Sequence, residues 1–85
     1  MKMINQMKLV FDSRSSNESF ARTAITGFIA SLDPTIEELT DIKTAISEAV
    51  TNCIVHAYGE TINKIYISAI IYDNNFVVIK VKDKG

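Results

Sequence analysis

Glu48-Ala49-Val50-Thr51-Asn52-Cys53-Ile54-Val55-His56-Ala57 closes an apolar-periodic stretch that begins at Ile36. Ile36, Leu39, Ile42, Ile46, Ala49, Val50, Cys53, Ile54 and Ala57 recur at spacings of three and four. Such spacing predicts one apolar face on a helix from Ile36 to Ala57 or Tyr58. Thr35 followed by Glu38 has the pattern of a capping box, and Gly59 is placed to end the helix in a left-handed conformation. Glu48, Asn52 and His56 stand four residues apart on this helix, on a stripe about 80° wide. The apolar stripe is centred roughly 120° from Asn52. Three groups able to do acid–base, metal and hydrogen-bond work therefore share a flank beside the buried face. Polar residues at this spacing are more often a solvated face, so the rest of the chain must decide.

Upstream, Asp33-Pro34-Thr35 is a break that contains the only proline. Before it, Phe20, Ala21, Ala24, Ile25, Phe28, Ile29 and Leu32 mark a first amphipathic helix over Glu18–Leu32, with Ser16 or Asn17 as its cap. Gly27 lies inside that helix at some cost in propensity, which suggests close packing there. Lys8–Asp12 is a short β-prone run. Downstream, Ile65, Ile67, Ala69 and Ile71 alternate along Lys64–Tyr72, and Val77, Ile79 and Val81 along Phe76–Asp83. Asp73-Asn74-Asn75 between them reads as a hairpin turn. The predicted order is strand, helix, helix, hairpin: an α+β, two-layer arrangement. Asp83 has the parity of the apolar face of its strand, and an acid there needs a partner.

Composition bounds the function classes. The chain has 85 residues, 47% hydrophobic and 22% charged, enough for one domain that buries roughly 60% of its unfolded surface. Nine basic and ten acidic residues give a net charge of −1, which offers no electrostatic case for direct nucleic-acid binding. Cys53 has no second cysteine to pair with, and falls on the apolar stripe as a core residue. No apolar run is long enough for a membrane span, and the N-terminus lacks a signal-peptide core. A cytoplasmic protein is the expectation.

Residues 48–57 resemble the N box of the gyrase/Hsp90/histidine-kinase/MutL (GHKL) ATPase superfamily. Asp83-Lys84-Gly85 resembles the first half of the D-x-G-x-G glycine box that follows it in that family. The resemblance implies ATP and Mg²⁺ as cofactors. It makes Asn52 the Mg²⁺ ligand, Glu48 the catalytic general base and Asp83 the reader of the adenine amino group. Gly85 would let the backbone approach the base. His56 fits the N-box pattern and counts among the cofactor-binding positions, the alternative being a packing role at the helix end. The residue types suit these roles: an amide oxygen is a hard ligand for a cation that also leans on phosphates, and a carboxylate accepts from an exocyclic amine. A carboxylate in reach of a hydroxyl can take its proton in phosphoryl transfer.

The likeness extends over 16–22, 32–44 and 47–52 to the family of sporulation anti-sigma F factors, which are serine kinases. That family implies a homodimer that sequesters a sigma factor and phosphorylates a serine of an anti-anti-sigma antagonist. Arg22 matches an arginine on the surface those two partners share. A nucleotide-gated sigma-binding module without kinase activity, and an anti-sigma kinase of a stress sigma factor, are the alternatives. A histidine kinase would need an upstream phosphoacceptor, whereas the only His lies inside the N box. The chain stops within the glycine box, so residues 1–85 are expected to be the N-terminal portion of a single incomplete domain. Without the lid and second glycine turn, the 85-residue chain is expected to be inactive and to associate through the strand edge at 76–83.

Overall fold

The computed structural model describes residues 1–58 and 61–83, and the backbone alone for His56, Ala57 and Tyr58. Strand β1 (Met3–Asp12) leads into helix α1 (Asn17–Ile29), which tightens into a 3₁₀ turn (Ala30–Leu32). Helix α2 (Ile36–Asn52) passes into a π-helical turn (Cys53–Tyr58), and strands β2 (Lys64–Tyr72) and β3 (Val77–Asp83) form a hairpin. The sheet is antiparallel in the order β1-β2-β3, so β1 and β3 are its edges among the described residues. The α+β order expected from periodicity is the order observed.

Alternation along β2 is what holds the two layers together. Ile65, Ile67, Ala69 and Ile71 are buried, and each pairs with an inward residue on β3: Asp83, Val81, Ile79 and Val77 in turn. On the other side Phe11, Leu9 and Met7 pair with Ile65, Ile67 and Ala69. The helices lay Ala21, Ile25, Ile46, Val50 and Cys53 over this face to complete one core. Phe11 also meets Phe20 edge-on, with ring centroids 6.0 Å apart.

Several local expectations are corrected. β1 starts at Met3, not Lys8, because β2 offers a pairing template along its whole length. Ser16 is helical in φ and ψ and makes no side-chain cap; Asn17 instead donates from Nδ2 to the Asp12 carbonyl at 2.9 Å. Gly27 approaches nothing: a Cβ there would find no atom within 4 Å. Ile36, assigned to the apolar stripe, stands 83% exposed in the first turn of α2. The expected cap at Gly59 lies outside the described residues. The Thr35–Glu38 capping box forms in full, with Glu38 N–H donating to Thr35 Oγ1 at 3.1 Å and Thr35 N–H to Glu38 Oε1 at 2.9 Å. The hairpin turn also forms where expected, with Asn75 at φ 64°.

Candidate functional site

Glu48 and Asn52 lie in the last turns of α2, one turn apart on its exposed side. Together with Ser47 and Thr51 they line a surface cleft of about 330 Å³. The buried residues Ile46 and Val50 fix which side of α2 faces the sheet, and so fix the outward direction of this quartet. An amide, a carboxylate and two hydroxyls therefore share one opening. They form an oxygen-rich donor set of the kind a hard cation and phosphates accept.

From Cys53 the backbone is π-helical, so the advance of 100° per residue that aligned His56 with Asn52 no longer applies. The His56 side chain lies outside the described residues, as does Gly85. A π turn at the end of a helix often accompanies a functional site, but alternating polar and apolar residues carry no signal for it.

Asp83 arrives at the same end of α2 from the sheet. It faces inward opposite Ile65, as its parity predicted. There the buried Cys53 thiol lies beside its carboxylate. Burial, then the charge of Asp83, then hydrogen bonding to it push the thiol above its ordinary value of 9.0. The partner that an inward acid requires is thus a cysteine, one residue beyond Asn52.

Arg22 is not a freely solvated charge. Its Nη1 donates to Glu18 Oε1 at 2.8 Å, one turn back on α1, and to Ser47 Oγ at 3.1 Å on α2. Thr51 Oγ1 donates to the other Glu18 oxygen at 2.6 Å. Glu18, Ser47 and Thr51 were not singled out by sequence reasoning, because the Arg22–Ser47 and Glu18–Thr51 contacts join residues 25 and 33 positions apart. A further pair of that kind ties the end of β1 to the start of β2: Ser13, 4% exposed, exchanges hydrogen bonds with Asn63 at 2.8 and 2.9 Å.

The described chain is thus a strand feeding two helices, a π turn at the end of α2 and a hairpin whose last residue is an inward acid. Among known families, the histidine kinase-like ATPase domain matches residues 11–85. The chain belongs to the histidine kinase-like ATPase domain family. The GHKL resemblance drawn from residues 48–57 and 83–85 is thereby borne out. Within this ATPase family it is similar to the anti-sigma F factor of Caldanaerobacter subterraneus subsp. tengcongensis, 59% identical over 85 residues, which are 100% of this chain and 59% of that protein. The anti-sigma F factor of Thermoanaerobacter sp. (strain X514) is 56% identical over the same shares. That of Geobacillus thermodenitrificans is 49% identical over 83 residues, 98% of this chain and 57% of the relative. The chain thus spans less than two thirds of the length of the curated relatives it matches. No helix among the described residues is long and apolar enough to cross a membrane.

Proposed function

We propose that this chain is the front part of an anti-sigma factor that binds ATP with Mg²⁺ and phosphorylates a serine of an anti-anti-sigma antagonist. The observation that carries the reading is the single cleft shared by Glu48 and Asn52. The family match and the names of the relatives support the nucleotide and the sigma factor. Among the described residues no group of three or more His, Cys, Asp or Glu side chains is placed to hold a metal. A cation at the Asn52 amide oxygen would therefore take its remaining ligands from water and from phosphate oxygens.

Bound Mg²⁺·ATP supplies the phosphoryl group and lets it leave from ADP. The chain's own task is to orient the acceptor and take its proton. Glu48 stands exposed on the cleft, where its carboxylate can accept the proton of the serine hydroxyl as the new oxygen–phosphorus bond forms and the bridging bond to ADP breaks. Asn52 holds the cation side, and Asp83 accepts from the adenine amino group. His56 and Gly85 belong to the proposed nucleotide site through the family pattern. Arg22, half-buried between the helices, is the proposed contact for acidic residues of either the sigma factor or its antagonist. The proposed assembly is a homodimer in the cytoplasm.

The test is phosphate transfer from labelled ATP to an anti-anti-sigma protein by the full-length protein, wild type beside Glu48→Gln. Transfer by wild type, lost in the variant while ATP still binds, supports a kinase with Glu48 as base. Sigma and ATP binding without any transfer would sink the kinase and leave a nucleotide-gated binding module.

A further inference from the structure

Glu18 uses both carboxylate oxygens across the helix pair. One accepts from Arg22 on its own helix, the other from Thr51 on α2, while Arg22 reaches on to Ser47. Ser47 and Thr51 are the two hydroxyl residues of the cleft that contains Glu48 and Asn52. Each hydroxyl of the cleft wall is therefore held from α1, one by an acid and one by a base. The two differ in what they can offer. Thr51 has committed its proton to Glu18 and presents an oxygen acceptor. Ser47 accepts from Arg22, which leaves its proton to donate.

An ion pair one helical turn apart, half-buried and still open to solvent, contributes little by itself. The short hydrogen bond from Thr51 to an ionised carboxylate is a stronger kind of contact, and it joins residues 33 positions apart. We propose that Glu18 is a positioning residue for the nucleotide cleft: with Arg22 as its counter-ion, it holds Ser47 and Thr51 so that Glu48 and Asn52 meet Mg²⁺·nucleotide on a preset wall. The inference rests on the nucleotide-binding reading above. Without the carboxylate, Thr51 is released to bond back to the carbonyl one turn earlier in α2, as threonines in helices do. The wall then has to be reordered each time a nucleotide binds.

The experiment is calorimetric titration of Mg²⁺·ADP into the full-length protein. The variants are Glu18→Ala, Glu18→Gln, Thr51→Val and the double variant Glu18→Ala/Thr51→Val, with thermal unfolding recorded for each. Glu18→Ala is expected to weaken binding about fivefold, Thr51→Val similarly, and the double variant no more than either single one, because the two side chains act as a unit. Glu18→Gln has one acceptor oxygen in place of two and no charge for Arg22, so it can keep only one of the two contacts and recovers only part of the affinity lost in Glu18→Ala. Unchanged affinity in folded Glu18→Ala, or losses that simply add in the double variant, would overturn the proposal. A wild type that binds no Mg²⁺·ADP sinks the nucleotide reading and this inference with it. A wild type that binds, beside variants that bind equally well, sinks only the positioning role.

Discussion

The Cys53 thiol, where α2 passes from α to π geometry, lies beside the carboxylate of Asp83 at the end of β3. This contact joins the helix and the hairpin at the residue next to Asn52. Because burial and a neighbouring negative charge both disfavour the thiolate, and the thiolate is the reactive form, Cys53 is inert in the folded protein. Its alkylation by iodoacetamide at pH 8 is expected to be much slower than in urea. The linkage sign follows from a folded value raised above the unfolded one. The thiol's contribution to stability is fully present below 9.0 and is lost as the pH rises through the folded value. Equal alkylation rates in native and unfolded protein would show that the thiol is not sequestered.

Which parts of this arrangement were legible depended on whether the determining contact was local. Strand β2 and the inward parity of Asp83 follow from strict alternation, and the Thr35–Glu38 box from a spacing of three, since each signal is complete within a few residues. The extension of β1 to Met3 depends on β2, more than fifty positions away. The Ser16 cap is an exception, since its determinants are local: Asn17 finds the Asp12 carbonyl, and the turn from Arg14 to Asn17 keeps Ser16 helical. The α-to-π transition at Cys53 has no signal in the apolar pattern, so the Glu48–Asn52 pair was legible and the turn that follows it was not. The Glu18–Thr51 bond needs both helices docked before it exists.

The capping box gives a stability prediction with a pH signature. Thr35→Ala removes the acceptor for the Glu38 amide and is expected to cost about 1 kcal/mol. The backbone N–H of Thr35, and then its hydroxyl, hold the Glu38 carboxyl below its ordinary 4.5. A depressed folded value means that the carboxylate's contribution is present above 4.5 and lost as the pH falls through the folded value. Urea denaturation between pH 6 and pH 3 should therefore lose part of its acid slope in Glu38→Gln. An unchanged slope would mean that the box contributes nothing in solution.

Gly27 is a place where the protein can be improved. It lies in the middle of α1 with open space where a Cβ would stand. Alanine removes backbone freedom from the unfolded chain at no steric cost, so Gly27→Ala is expected to stabilise by about 0.5–1 kcal/mol. A higher midpoint in thermal or urea unfolding checks it. A lower midpoint would mean that something covers this face of α1 in solution.

Asp83 and Asn52 can be separated by two readouts on one pair of variants. Asp83→Asn replaces an acceptor-only carboxylate with an amide that also donates, so it should lower the discrimination of the full-length protein for ATP over GTP. The same change removes a negative charge from beside Cys53, so the thiol should ionise at lower pH. Asn52→Ala leaves that thiol titration untouched. Because the Asn52 amide is the proposed contact to the cation, chelating Mg²⁺ with EDTA should weaken nucleotide binding by wild type far more than by Asn52→Ala. Nucleotide titrations with and without EDTA, beside thiol absorbance against pH, read both effects. If Asp83→Asn shifts the thiol but leaves ATP and GTP equally discriminated, the Cys53–Asp83 contact stands and the adenine-reading role falls. If Asn52→Ala keeps the full EDTA response, the cation is held by other groups.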